Sequence, residues 1–349
     1  MIEAATDLSP ESLALYSAII DVRTPAEFAE DRLPGAINLP VLSTAERAEV
    51  GTIYVQESRF RARRMGAAYV ARNVAHHLET SLATRDAKFR PLLYCWRGGM
   101  RSNSMATILS QIGWRVGVLD GGYRSWRRAA VAELSNSATP LRVILLDGET
   151  GAAKTDILRR LIARGVQAID LEGLAAHKGS VFGAEPDSEQ PPQKLFESAL
   201  FDALRKLDQS RPIILEAESS RIGRLNLPAR LWSAMRAAPR IHIAAPAPMR
   251  AAYLCRAYRD FIAAPGAISS ALDRLRPFHA KEKIADWKLM SDAGAHERLA
   301  LSLMLDHYDP LYERARRKGG AALGEIVMDN LDADGLEKAA DRIEAIAKN

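Results

Sequence analysis

Cysteine is nearly absent: Cys95 and Cys255 are the only two in 349 residues. They stand far apart, which excludes a disulfide scaffold and fits a reducing compartment, here the cytoplasm. No apolar run approaches the ~20 residues a membrane span requires, so no membrane partner is expected. The opening "MIEAATDLSPESL" is acidic and lacks the apolar core of a secretory signal. Internal repeats and low-complexity tracts are missing too. His76 and His77 adjoin one another without further ligand spacing, so no metal centre and no tightly bound cofactor are expected.

What is there is ordinary globular material, 48% hydrophobic and 26% charged. The length suits about two domains. Short apolar strands alternate with helical stretches, which implies parallel α/β sheets. "SAIIDV" ends in Asp21, and "TPAEF" opens a helix capped by Thr24 with Pro25 at its first position. "RPLLYCW" and "RVGVLDGG" read as further strands, and "SNSMATILSQIG" as a helix stopped by Gly113. The polar break "SNSATP" (135–140) sets the expected boundary, giving domains 1–137 and 138–349. "LRVILLDG", "VQAIDLEG", "PIILEAES" and "RIHIAAP" then read as strands. The pattern turns mainly helical from about 249, and "HYDPLY" reads as a helix end and turn before Pro310.

Cys95 follows a buried strand and precedes a helix, the place where α/β sheets bind ligands. Its loop, "CWRGGMR", separates Cys95 from Arg101 by five residues. Gly98 and Gly99 permit the positive φ that lets successive N–H groups face an anion. The helix N-terminus, Arg97 and Arg101 add positive potential, which lowers a thiol pKa. Such a thiolate is equipped for sulfur, selenium or phosphoryl transfer. The bland alternative is an inert core cysteine, the reading that also suits Cys255 in "YLCRAYRD".

"LLDGETGAAKTDILRRL" reads as a phosphate loop, G-x-x-x-x-G-K-[ST], with Ala153 where glycine precedes the lysine. Gly148, Thr150, Gly151, Ala152 and Ala153 would cradle phosphate through backbone N–H groups. Lys154 would meet a diphosphate, and Thr155 would hold Mg²⁺. A glycine-like conformation at Ala153 would cost on the order of 1–3 kcal/mol, whereas a helical one would cost nothing. Asp170, Glu172, Glu216 and Glu218 fall at neighbouring strand ends. They either contact Mg²⁺ or substrate, or cap helices and pair with arginines.

The net charge is +5. Arg59, Arg61, Arg63, Arg64 and Arg72 cluster in one half, and Arg221, Arg224, Arg230, Arg236 and Arg240 in the other. They are either solvated faces or contacts for phosphates, with Arg59, Arg63, Arg64, Arg221 and Arg224 as candidate RNA-binding residues.

"DVRTPAEF", "LPGAINLP", "CWRGGMRS" and "VLDGGYRSWRR" resemble a rhodanese homology domain over roughly residues 15 to 130. Rhodaneses carry sulfur as a cysteine persulfide, which the resemblance puts at Cys95. The loop length is also similar to that of the cysteine phosphatases sharing the fold, although Tyr94 stands where those have histidine. "LPVLSTAERAEVGTIYVQ", "DLEGLAAHKGSVFG", "PPQKLFESAL", "EAESSRIGRLNLP" and "HYDPLY" extend the resemblance to about residue 315. This ordered set resembles the bacterial tRNA 2-selenouridine synthases, a rhodanese domain fused to a P-loop NTPase-like α/β domain with a helical C-terminal region.

The resemblance implies replacement of sulfur by selenium in 2-thiouridine at the tRNA wobble position, through an S-geranyl intermediate. Its implied substrates are geranyl diphosphate, selenophosphate and thiolated tRNA, with a selenophosphate-producing enzyme as partner. The P-loop would bind the diphosphate without ATP hydrolysis. Cys95 would take selenium as a perselenide or position the donor. Two other readings remain: a sulfurtransferase or cysteine phosphatase fused to an ATP-using module, and a non-catalytic tRNA-binding protein.

Overall fold

The computed structural model describes residues 1–135, 140–180, 182–183, 189–316 and 320–348, with no side-chain account of 315 and 316. The chain forms two compact units: Met1–Leu134 with Pro192–Lys206, and Ser135–Pro191 with Leu207–Asn349. Most of the polar break expected as the boundary, 136–139, lies outside the described residues.

The first unit is built on a parallel sheet of five strands: β1 (Ile2–Ala5), β2 (Ala18–Asp21), β3 (Ile37–Asn38), β4 (Pro91–Tyr94) and β5 (Val116–Leu119), in the order β1-β5-β4-β2-β3. β4 and β5 are buried at every residue, as central parallel strands flanked by helices must be. β1 had no strand signature in the sequence. It is an edge strand, pairing Ile2 with Val116 and Ala5 with Leu119, and only Ala5 is fully buried.

Thr24 and Glu27 form a capping box at the helix Pro25–Glu30. The arginine-rich stretch from 44 is two helices, Thr44–Gln56 and Arg59–Glu79, because Ser58 accepts a hydrogen bond from the Arg61 N–H and caps the second. The helix Gln193–Arg205 also belongs to this unit. The indole of Trp126 donates to the Ser198 hydroxyl at 3.1 Å, and Phe201 packs edge-on against it.

The second unit carries a parallel sheet of β6 (Val143–Asp147), β7 (Ile213–Glu216), β10 (Arg240–Ala244) and β11 (Ala322–Val327), ordered β11-β10-β6-β7. A two-stranded hairpin joins β8 (Arg221–Ile222) and β9 (Leu225–Asn226). Two expectations need correction here. "VQAIDLEG" makes only one bridge, Ala168 to Ile214, because Asp170 caps the helix Leu171–Ala175 and ends the extended segment. The C-terminal region is mainly helical, as expected, and adds one edge strand, β11, covered by the amphipathic helix Ala333–Lys348. "HYDPLY" is not a helix end: a π-helical turn, Met304–Tyr308, runs into the helix Asp309–Arg316, and the widened turn accommodates Pro310.

Candidate active site

Each sheet presents one loop at the carboxyl end of a central strand. Cys95 directly follows β4, and the helix Met100–Gln111 begins just beyond. The thiol is only 3% exposed, and its Sγ accepts hydrogen bonds from the Gly99 N–H at 3.2 Å and the Ser102 hydroxyl at 3.3 Å. Burial pushes the thiol pKa up. The Ser102 hydroxyl and N–H, the Arg97 N–H and the Arg101 charge outweigh burial and hold it below its ordinary value. Cys95 is thus buried like a core residue and yet supported as a thiolate. Trp96, Arg97 and Gly99 form the exposed rim of the loop.

The two glycines do different work. Gly98 has φ +67°, and a β-carbon there would lie 2.8 Å from the Leu119 carbonyl oxygen. Gly99 has φ −97° and needs no glycine-only conformation. A second turn, after β5, packs directly beneath the loop. A β-carbon on Gly122 would come within 2.4 Å of the Cys95 oxygen and 2.5 Å of the Gly98 nitrogen, while the Tyr123 N–H donates to the Cys95 carbonyl at 2.8 Å. Arg101 is not free to wrap an anion unaided: Glu27 holds its guanidinium through bonds of 2.8 and 3.3 Å. Deeper still, buried Arg23 grips Asp21 through two nitrogens and stacks over the Tyr123 ring at 4.1 Å. The Tyr123 hydroxyl donates to Asp31 at 2.6 Å. This network fixes the floor of the loop.

The phosphate loop spans Gly148 to Ala153, between β6 and the helix Lys154–Ala163. A β-carbon on Gly148 would lie 2.4 Å from the Ile243 oxygen, and one on Gly151 2.9 Å from the Arg250 oxygen. Ala153 adopts the left-handed conformation, φ 60° and ψ 26°, which costs an L-residue roughly 1–2 kcal/mol. Burial of Ala152 and Ala153 in the core with Ile157 and Ile243 holds the turn in place. Lys154 Nζ donates to the Gly148 carbonyl at 2.8 Å and to that of Glu149 at 3.3 Å. Arg250, buried and paired bidentately with Asp309, donates to the Thr150 carbonyl at 2.9 Å and clamps the loop.

Beside the loop lies a carboxylate cluster. The Thr155 hydroxyl is 2.5 Å from Glu216 Oε1 and 3.1 Å from Glu172 Oε2, and its one proton serves one of them at a time. Glu172, Glu216 and Glu218 each offer an oxygen within 4.8 Å of the others. Burial, then repulsion by a neighbouring carboxylate, raises Glu172 and Glu216 to about 8 and Glu218 to about 7, against a smaller lowering by Lys154. Glu216 Oε2 is buried with no hydrogen-bond partner. This all-oxygen set suits a hard divalent cation such as Mg²⁺. Asp170 is used differently: it accepts from the Gly173 N–H at 2.6 Å and pairs with Arg159 at 2.8 Å. Gly179, with φ +64°, approaches the cluster so closely that a β-carbon would meet Glu172 at 2.8 Å and Glu218 at 2.9 Å.

Arg59, Arg63 and Arg64 are exposed on their helix, with Arg59 over the Tyr54 ring. Arg221 and Arg224 are exposed on the β8–β9 hairpin, where the Arg224 guanidinium donates to the Gln190 carbonyl. Two members of that cluster are structural, for Arg230 is buried and Arg240 pairs with Asp147 at 3.1 Å. His77 is buried, and its Nε2 lies 3.0 Å from the Pro40 carbonyl. Ser102, Gly122, Gly179 and Arg250 carry no functional signal in the sequence, and Glu27 carries only that of a helix-capping residue three positions after Thr24. The two loop-supporting glycines stand in "DGG" and "HKGS", which are their only local signals.

Residues 6–129 match the rhodanese-like domain family, and residues 141–271 match the tRNA 2-selenouridine synthase AAA domain. A relative from Chromohalobacter salexigens is 34% identical, the alignment covering 87% of this chain and 90% of the relative. Relatives from Psychromonas ingrahamii and Cupriavidus necator are 30% and 32% identical, over 86% and 88% of this chain and 88% and 90% of their own lengths. All three carry the name tRNA 2-selenouridine synthase.

Proposed function

The chain belongs to the tRNA 2-selenouridine synthase family, and from that premise we propose that it replaces sulfur by selenium in 2-thiouridine at the tRNA wobble position, its two loops dividing the work. The enzyme is a tRNA-modifying transferase. The observation that carries the division of labour is the pairing, on one chain, of a loop whose Gly99 N–H and Ser102 hydroxyl face the Cys95 sulfur with a phosphate loop flanked by carboxylates.

The P-loop unit binds geranyl diphosphate. The thiocarbonyl sulfur attacks C1 of the geranyl group, a C–S bond forms, the C–O bond breaks and pyrophosphate departs. Lys154 and the N–H groups of the loop receive the charge of the leaving group. Thr155, Glu172, Glu216 and Glu218 would hold Mg²⁺, which when bound neutralises diphosphate charge. No nucleotide hydrolysis is required. Alkylation converts a poor leaving group into a thiol-type one.

Selenophosphate, supplied by a separate selenophosphate-producing enzyme, binds the Cys95 loop through its phosphoryl oxygens. The Cys95 thiolate attacks phosphorus: an S–P bond forms, the P–Se bond breaks, and selenide leaves with no change of oxidation state. Selenide then displaces geranyl thiol at C2, and water hydrolyses the S–P bond. Attack on selenium to form a perselenide would leave phosphorus reduced, so the phosphoryl route is favoured. Arg59, Arg63, Arg64, Arg221 and Arg224 contact tRNA phosphates.

Nucleoside mass spectrometry tests this reading. Thiolated tRNA and geranyl diphosphate yield S-geranyl-2-thiouridine, and added selenophosphate converts it to 2-selenouridine. Absence of both products overturns the reading. Rapid ATP turnover without tRNA would favour the ATP-using alternative instead.

A further inference from the structure

Thr150 of the phosphate loop also lines an almost wholly apolar cavity. The cavity has a volume of about 90 Å³ and widens into a mouth open to solvent. Its walls include Leu254, Cys255, Phe261, Leu299 and Leu303. Cys255, expected in a helix core, is instead half-buried in this wall, and burial raises its thiol pKa. Of the polar groups in its wall, the Tyr258 hydroxyl bonds with Ser180, whereas the buried Nδ1 of His296 has no hydrogen-bond partner.

A phosphate cradle whose Thr150 also lines a mostly apolar cavity suits a ligand with a charged head and an apolar tail. A purine fits less well, since most of its ring nitrogens would lie unpaired against aliphatic and aromatic walls. We propose that this cavity is the chain subsite for a prenyl diphosphate: the diphosphate rests on the P-loop, C1 lies beside Thr150, and the hydrocarbon runs past Cys255 towards Leu299 and Leu303. The proposal rests on the diphosphate reading of the P-loop and adds where the chain lies and what sets its length. Wall residues, rather than the loop, then choose among chain lengths.

The test compares calorimetric binding of inorganic pyrophosphate, dimethylallyl, geranyl and farnesyl diphosphate to the full chain at fixed magnesium. In the wild type, affinity rises from pyrophosphate to geranyl diphosphate. Cys255→Phe, which fills the cavity, weakens geranyl diphosphate at least about tenfold and leaves pyrophosphate unchanged. Leu303→Ala, which lengthens the cavity, shifts preference towards the farnesyl chain. A measurement free of mutation is alkylation of Cys255 followed by peptide mass spectrometry: geranyl diphosphate slows it and pyrophosphate does not. If the wild type binds neither pyrophosphate nor geranyl diphosphate, the diphosphate reading falls with the proposal; if it binds both equally, the proposal falls alone. If it gains affinity while Cys255 stays unprotected and Cys255→Phe binds geranyl diphosphate normally, the proposal falls alone.

Discussion

Replacing Glu216 by glutamine stabilises the metal-free protein at alkaline pH. Glu216 is 1% exposed, shares Thr155 with Glu172 and keeps one oxygen unpartnered. Burial, with repulsion from Glu172, moves its carboxyl from 4.5 to about 8. The folded state therefore keeps a proton that the unfolded chain releases above pH 4.5. Stability is complete below that pH and is lost as pH rises through about 8. At ~1.4 kcal/mol per pH unit the displacement is worth at most roughly 5 kcal/mol. Sharing of protons among three carboxylates and local relaxation reduce this to on the order of 2–3 kcal/mol. Glutamine preserves the acceptor for Thr155 and removes the charge. In EDTA, Glu216→Gln and wild type should melt together near pH 5. The variant should gain roughly 4–12 °C in the P-loop unit's transition near pH 8, at about 2–4 °C per kcal/mol. Mg²⁺ should raise the wild-type Tm at pH 8 and leave the variant unmoved, because cation binding displaces the same protons. A variant destabilised equally at both pH values would refute the reading, and so would a wild type whose stability does not fall between them.

Ser102→Ala removes a donor to Cys95 Sγ, so the midpoint of Cys95 alkylation, read by peptide mass spectrometry, moves to higher pH; an unmoved midpoint contradicts the role given to Ser102. Gly122→Ala places a β-carbon 2.4 Å from the Cys95 oxygen at φ +58°. It should cost at least about 2 kcal/mol in the first unit's denaturation and abolish selenation, and a normally stable, active variant would show that the turn does not support the loop. Lys154→Ala removes the cation at the phosphate loop. Pyrophosphate binding should weaken at least about tenfold, and unchanged affinity in calorimetry would rule out the diphosphate assignment.

Both loops were legible because their signals are local. A strand, a glycine turn and a helix N-terminus must be consecutive, so "LLYCWRGGMRS" and "LLDGETGAAKT" can be recognised without knowing what surrounds them. The partners that tune them lie far away in the chain. Glu27 reaches Arg101 across 74 positions, and Arg250 reaches the Thr150 carbonyl across 100. No period or motif connects residues so far apart. β1 and β11 were invisible for a related reason: edge strands are defined by the neighbour they pair with, and half-exposed short segments such as "IEAA" and "ALGEIV" carry little pattern of their own.

The chain's sequence by itself determined the α/β class, the capped helices, the Cys95 and Gly148–Thr155 loops and the glycines at their turns. Backbone conformation and adjacent charge decide these over a few residues. Tertiary structure alone decided which way each ambiguous group went. Asp170 became a cap while Glu172, Glu216 and Glu218 converged, and Arg230 and Arg240 were taken into the fold while Arg221 stayed exposed. Whether Ala153 is strained, and whether Cys255 is core or cavity wall, were settled the same way. Burial and the approach of distant charges govern these outcomes, and both exist only once the sheets have assembled.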